Sequence, residues 1–177
     1  MKNRENKKGF TLIEILIVIG LIAILATIVL VALNPARQFA QGRNSQRTSN
    51  VSTILNAYGQ RVADNKGLFG VDATCSATMD IPVSAVDESS AAKICKVGSA
   101  VLLADCGSTT VDMRLCLAPT YVPELPVDPK SGEMGCLDST CAPGYDTGYF
   151  IWKDTNSRVT VMASSTELGV PKISVTR

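Results

Sequence analysis

Apolar and polar positions divide the chain into stretches of different period. Residues 10–33, from Phe10 to Leu33, form an apolar run in which Glu14 is the one ionisable side chain. As a helix, a run of this length crosses the roughly 30 Å hydrocarbon core of a bilayer. Gly20 is tolerated there because lipid offers the backbone no other hydrogen-bond partner, and it marks a point where another helix can approach. Asn34-Pro35 then predicts a kink or short break, since proline removes a backbone donor and clashes with the preceding turn. From Ala36 to about Asp64, the residues Phe39, Val51, Ile54, Leu55, Tyr58 and Val62 recur at three- and four-residue spacing, with Arg43, Arg47, Asn50 and Arg61 on other faces. That pattern predicts an amphipathic helix whose apolar stripe docks on a sheet. Arg37, Arg43 and Arg47 read as a solvated face, close enough to a bilayer to meet anionic lipid or a neighbour's acidic surface. Gly67-Leu68-Phe69-Gly70 supplies the helix stop.

Beyond Gly67 the periods shorten. Ser89–Val97 and Thr110–Leu117 read as short helical turns, and Ala100–Ala104 as a short apolar strand or helix. The prolines of Tyr121–Pro129 exclude helix and impose extended or turn geometry. Tyr149–Lys153, Asp154–Ser157 and Arg158–Ala163 read as strand, turn and strand, with Lys172–Thr176 as an edge strand after the break at Gly169 and Pro171. The expected fold class is α+β: one long N-terminal helix, membrane-spanning in its first half and amphipathic in its second, packed on a small antiparallel β-sheet with disulfide-rich loops. Trp152 falls in the sheet and is expected to pack in the core or at its rim.

The segments follow: a leader at 1–9, a transmembrane helix at 10–33, the amphipathic half at 34–66 and one globular head at 67–177. The head divides into a Cys-rich loop region, 67–146, and a C-terminal sheet, 147–177. The formal net charge is +1, but its distribution is uneven: the leader and the segment from Ala36 to Lys66 are basic, while Gly67–Asp146 is acidic, so nucleic-acid binding is not expected. Histidine is absent, no Gly-rich phosphate loop or nucleophile elbow occurs, and neither an enzyme nor a cofactor is expected. Cys75, Cys95, Cys106, Cys116, Cys136 and Cys141 all lie beyond the apolar run, which points to an oxidising compartment and to disulfides. Zinc spacing is poor, with no Cys-x-x-Cys pair and no histidine. About 15 connectivities are open to six cysteines. Cys136 with Cys141 is the pair best placed to close locally.

A lone carboxylate in a membrane helix costs about 3 kcal/mol or more, so Glu14 requires a location or a partner. It can reach the head groups from the first turn and favour the positive end of the helix dipole. The surrounding residues, Lys8-Gly9-Phe10-Thr11-Leu12-Ile13-Glu14, resemble the processing signal of type IV pilins and type II secretion pseudopilins. That resemblance implies cleavage between Gly9 and Phe10 by a membrane peptidase, methylation of the Phe10 amine, and assembly through Phe10 and Glu14 in a dry helix bundle. Local melting near Gly20 in the filament is a further implication. Leu125-Pro126-Val127-Asp128-Pro129, followed by Tyr145 and Tyr149, resembles the segment leading into the sheet of major pseudopilins and small bacterial pilins. Some of those bind calcium in the next loop. Asp128, Asp138 and Asp146 supply carboxylates here, but Cys136, Cys141 and Pro143 make the loop different, and a disulfide-closed loop without metal is expected.

The resemblance also implies partners: like subunits in a helical homopolymer, a prepilin peptidase, an inner-membrane assembly platform with a cytoplasmic ATPase, and the bilayer before assembly. The precursor would be a single-pass inner-membrane protein with a cytoplasmic N-terminus, and the product a surface filament or a periplasmic pseudopilus. A pseudopilin or a minor, DNA-uptake pilin is the nearest alternative. A membrane-anchored, disulfide-stabilised binding domain that does not polymerise is the alternative of another class.

Overall fold

The computed structural model describes residues 9–70, 75, 81, 83, 91–97, 106, 109–134 and 144–177. Two compact units are present, residues 1–39 and residues 40–177. The first contains helix α1, Leu12–Leu33, 22 residues long, opened by Thr11 as N-cap and closed by Asn34. Asn34 has φ 41°, a left-handed conformation that asparagine tolerates better than most residues, and its Oδ1 accepts the Arg37 N–H at 3.3 Å. One side chain thus ends α1 and caps the next helix, α2, Pro35–Asp64. The expected break at Asn34-Pro35 is present. Proline at the first position of α2 loses nothing, because its missing donor would have no intrahelical partner there.

Among the described residues, the head is built on a six-stranded sheet with β1 Ala92–Lys96, β2 Thr110–Val111, β3 Glu133–Met134, β4 Tyr145–Lys153, β5 Val159–Ala163 and β6 Ile173–Thr176, ordered β2-β1-β4-β5-β6 with β3 also on β4. A short helix, α3, covers Arg114–Leu117. Among the named strands, β1 with β2 is the parallel pair and the other pairs are antiparallel, so the sheet is mixed, where an antiparallel one was expected. The β4–β5 hairpin follows the expected plan, with Lys153 opposite Val159 and a turn in which Asp154 Oδ1 accepts the N–H groups of Asn156 and Arg158. Trp152 lies within it, half-buried and opposite Thr160.

Three expectations require correction. Ala92–Lys96 is a strand and Thr110–Val111 another, where short helical turns were read; only Arg114–Leu117 of that second stretch is helical. Strand β1 pairs with β4, about fifty residues further on, and long-range pairing overrides weak local preference. Strand β4 starts at Tyr145, not Tyr149, so the sheet takes in β1, β2 and β3 from the region read as loops. Ala100–Ala104 lies outside the described residues.

The core joins α2, through Val51, Ile54, Leu55 and Ala57, to Ile94, Tyr145, Tyr149, Ile151 and Val161 of the sheet and to Met113, Leu117 and Leu125 of the intervening chain. The helix docks as expected through Val51, Ile54 and Leu55, with Tyr58 against the core, but the buried stripe also takes in residues outside the apolar pattern. Phe39 is exposed, while Ala40, Asn44, Arg47, Val51, Ile54, Leu55, Ala57 and Arg61 are buried. The stripe is apolar in its middle and polar at both ends, so Arg47 and Arg61 are not part of a solvated face.

Candidate functional site

Two sites emerge, one in each unit. At the N-terminus, Gly9 is exposed and a Cβ placed there would meet nothing within 4 Å, so its approachability comes from an open, non-helical chain. Phe10 follows, 80% exposed. The helix starts two residues later because Thr11 Oγ1 accepts the Glu14 N–H at 3.3 Å and lies 3.5 Å from Glu14 Oε2. Thr11 and Glu14 stand at N-cap and N3, the spacing of a capping box, and place the carboxylate at the positive end of the helix one turn from Phe10. The pattern Thr-x-x-Glu is readable in the sequence. Leu12–Val31 is long and apolar enough to cross a membrane, and none of that window is buried within its own chain.

The site of the head is the buried polar end of the α2 stripe. Arg47, 0% exposed, meets Asp128, 2% exposed, through two hydrogen bonds: Nε to Oδ2 at 2.6 Å and Nη2 to Oδ1 at 3.1 Å. A planar guanidinium matches a carboxylate in this way, where lysine could offer only one point of charge. Asp128 Oδ1 also accepts the N–H groups of Lys130 and Ser131, at 2.9 and 3.0 Å, which folds the chain after Pro129 around the carboxylate. Burial alone would raise the Asp128 pKa, but Arg47 and these two N–H groups outweigh it and hold the group below the ordinary carboxylate value. The Arg47 guanidinium is in turn held charged, chiefly by Asp128.

Two glycines let the backbone close over this carboxylate. A Cβ at Gly132 would come within 2.5 Å of the Asp128 nitrogen, and one at Gly148, where φ is +74°, within 2.8 Å of Asp128 Cβ. Asn50 then donates to Val127 O at 3.0 Å and Tyr149 Oη at 2.9 Å, and burial pushes the Tyr149 phenol upward. A second clasp follows: Asn44 Nδ2 donates to Glu167 O while Glu167 N donates to Asn44 Oδ1, and Arg43 Nε lies 2.7 Å from Glu167 Oε2. At the other end of the stripe Arg61 donates to Phe69 O and Cys116 O, each at 2.9 Å, and stands over the Phe69 ring.

Among the described residues two disulfides are formed, Cys75–Cys116 and Cys95–Cys106, with Cα separations of 5.1 and 5.7 Å. Cys136 and Cys141 lie outside the described residues, as does Asp138. The other carboxylates considered for calcium are committed elsewhere: Asp128 to Arg47, and Asp146 to Lys93 at 2.6 Å. Sequence reading missed Arg47 and Arg61. The available signal was their phase, because Arg47 stands one turn from Val51 and Arg61 one turn from Ala57 on the buried stripe.

Residues 4–30 match the family model for the prokaryotic N-terminal methylation motif, the class III signal peptide of type IV pilins and pseudopilins. No curated protein and no solved structure matches the chain. The long apolar helix, mixed sheet and disulfides are consistent with an α+β, pilin-like fold. Together with the motif they describe a pilin- or pseudopilin-like precursor suited to anchorage in a membrane.

Proposed function

We propose that the chain is a structural subunit of a type IV pilus-like filament, inserted in the inner membrane with its N-terminus cytoplasmic. A prepilin peptidase cuts it between Gly9 and Phe10, the new Phe10 amine is methylated, and the subunits polymerise through α1. The observation that supports this reading is the pairing of an uncovered apolar helix with one carboxylate, Glu14, held in the first turn close to Gly9-Phe10. A plain anchor needs neither that carboxylate nor Gly9-Phe10. In a bundle of α1 helices, Glu14 of one subunit neutralises the Phe10 ammonium of another, offsetting two burial costs together. The head is then a rigid outer body, and we read the protein as a building unit without catalytic activity. Like subunits, the peptidase and an ATP-driven assembly platform in the inner membrane are the partners this role requires.

Intact-mass analysis of sheared surface filaments tests the reading. The expected chain begins at Phe10 and carries one methyl group. Assembled material that retains residues 1–9 overturns it.

A further inference from the structure

Helix α2 begins where the apolar run ends, and its side chains divide by what the head takes from them. Arg43 is engaged by Glu167, Arg47 by Asp128, and Arg61 by the Phe69 and Cys116 carbonyls. The remaining arginine of the helix, Arg37, is exposed, and its guanidinium has no hydrogen-bond or ion-pair partner among the described residues. The apolar residues divide in the same way. Val51, Ile54, Leu55 and Ala57 join the core with Tyr58 against it, whereas Phe39 is 67% exposed. Both leftover side chains stand in the first turns of α2, and the two compact units part immediately after Phe39, so Arg37 and Phe39 belong with α1.

Their place along the chain matches the edge of a bilayer. From Leu33, the end of the apolar run, Phe39 is about 9 Å further on at roughly 1.5 Å per helical residue. The polar layer of a membrane extends about 5–7 Å beyond the hydrocarbon on each side. Helical side chains lean toward the helix N-terminus, which for α2 is back toward the span, so with α1 across a bilayer Arg37 stands at the level of the phosphates and the Phe39 ring reaches the acyl boundary. The two residues are two positions apart, about 200° around a helix. A protein docking on one side of α2 meets one of them. Lipid surrounds the exit of a span on every side and meets both. The charge is also suitable, because between Glu14 and Asp64 the chain has no acidic residue to repel an anionic phosphate beside Arg37.

We propose that Arg37 and Phe39 form a phospholipid site, the interfacial anchor at the head-side end of the span. Arg37 donates to a lipid phosphate, the Phe39 ring packs between head groups and acyl chains, and together they fix how deeply α1 sits before assembly. This rests on the membrane-anchored precursor and not on the filament.

The test uses the full chain in vesicles of phosphatidylcholine and phosphatidylglycerol. Trp152→Phe keeps an aromatic ring in the sheet and removes the one native tryptophan, so that a single introduced indole reports. Phe39→Trp is expected to emit at shorter wavelength than an exposed indole and to be quenched most by lipids brominated near the carbonyls. Gln46→Trp, at an exposed position about two turns further along α2, is expected to stay unquenched. Brominated phosphatidylglycerol is expected to quench position 39 in preference to brominated phosphatidylcholine, and Arg37→Gln to reduce that preference about fivefold, the worth of one arginine near an anionic surface. Water-like, unquenched emission from position 39, while Leu25→Trp is quenched by bromines deep in the acyl chains, overturns the proposal and leaves membrane anchorage intact. A lipid preference unchanged by Arg37→Gln overturns it as well. A Leu25→Trp signal that no brominated lipid quenches overturns the anchorage itself, and this proposal with it.

Discussion

The two units of the molecule, residues 1–39 and 40–177, bury opposite things. Helix α1 hides none of its apolar window within its own chain, whereas the head buries a charged pair, Arg47 and Asp128, at the polar end of the α2 stripe. The contrast follows from what each unit must recognise. An element whose surroundings are lipid is specified by little more than composition and length. A helix that must dock on one sheet in one orientation gains little uniqueness from apolar contacts alone. Misplaced burial of Arg47, Asn44 or Asn50 would leave polar groups unpaired, and each such error costs about 1–3 kcal/mol or more. The polar ends of the α2 stripe therefore make alternative dockings costly.

On the filament reading proposed above, the comparison breaks most sharply at Glu14, where the effect would repeat at every subunit contact. Glu14→Gln makes α1 cheaper to bury in lipid, so membrane levels of the subunit are expected to equal or exceed wild type. In the proposed filament the Phe10 ammonium would lose its counter-charge, a loss of about 3–5 kcal/mol per buried pair, and filament yield is expected to collapse. Sheared filaments and membrane-bound subunit, quantified side by side, decide the matter. Normal filament yield removes Glu14 from assembly and returns it to its local role beside Thr11.

A loss of similar size, confined to one head, follows from Arg47→Leu. It leaves Asp128 buried without its partner and is expected to destabilise the head by about 3–5 kcal/mol while membrane insertion is unaffected. Pairing Arg47→Met with Asp128→Asn is expected to recover part of that loss, because a neutral amide needs no desolvation of charge and its Oδ1 still accepts the Lys130 and Ser131 N–H groups. Denaturant unfolding of the three proteins measures both. A single variant as stable as wild type would show that the pair orients α2 without stabilising it.

The same contrast explains what the sequence disclosed. The processing motif and α1 were legible because both are local: Lys8 to Glu14 is contiguous, and membrane length is a count of apolar residues. The Asn34-Pro35 break and the β4–β5 turn were legible for the same reason, since proline and Asp154 act within a few residues. Strand β1 was not, because Ala92–Lys96 is five residues with two lysines, and only its distant partner β4 makes it a strand. Arg47 was misread as solvated because the carboxylate that buries it, 81 positions away, is a feature of the fold. The string Leu125–Pro129 was noticed as a resemblance, yet its physical role, wrapping Asp128 so that it can receive Arg47, needed three dimensions.

The smallest expected effect sharpens the comparison by showing what a surface ion pair does beside a buried one. Arg114 and Glu124 form a two-point pair, with Nε–Oε1 and Nη2–Oε2 both at 2.9 Å, but the Glu124 side chain is 43% exposed. Water screens the pair, and its worth is about 0.2–1 kcal/mol, well below that of Arg47 with Asp128. Hydrogen bonding from Arg114 holds the Glu124 carboxyl below its ordinary value. A carboxyl depressed by folding contributes stability that is fully present above its unfolded pKa, about 4.3, and is lost as pH falls through the lower folded value. Glu124→Gln is therefore expected to lower the melting temperature slightly at neutral pH, with the gap to wild type closing as acid protonates Glu124 in both states. Arg47→Leu behaves differently, because acid protonation of the stranded Asp128 removes its buried charge but does not restore the lost packing and hydrogen bonds. Melting curves of wild type, Glu124→Gln and Arg47→Leu from neutral pH downward separate the cases, and a Glu124→Gln gap that persists in strong acid would show that this contact acts through packing instead of charge.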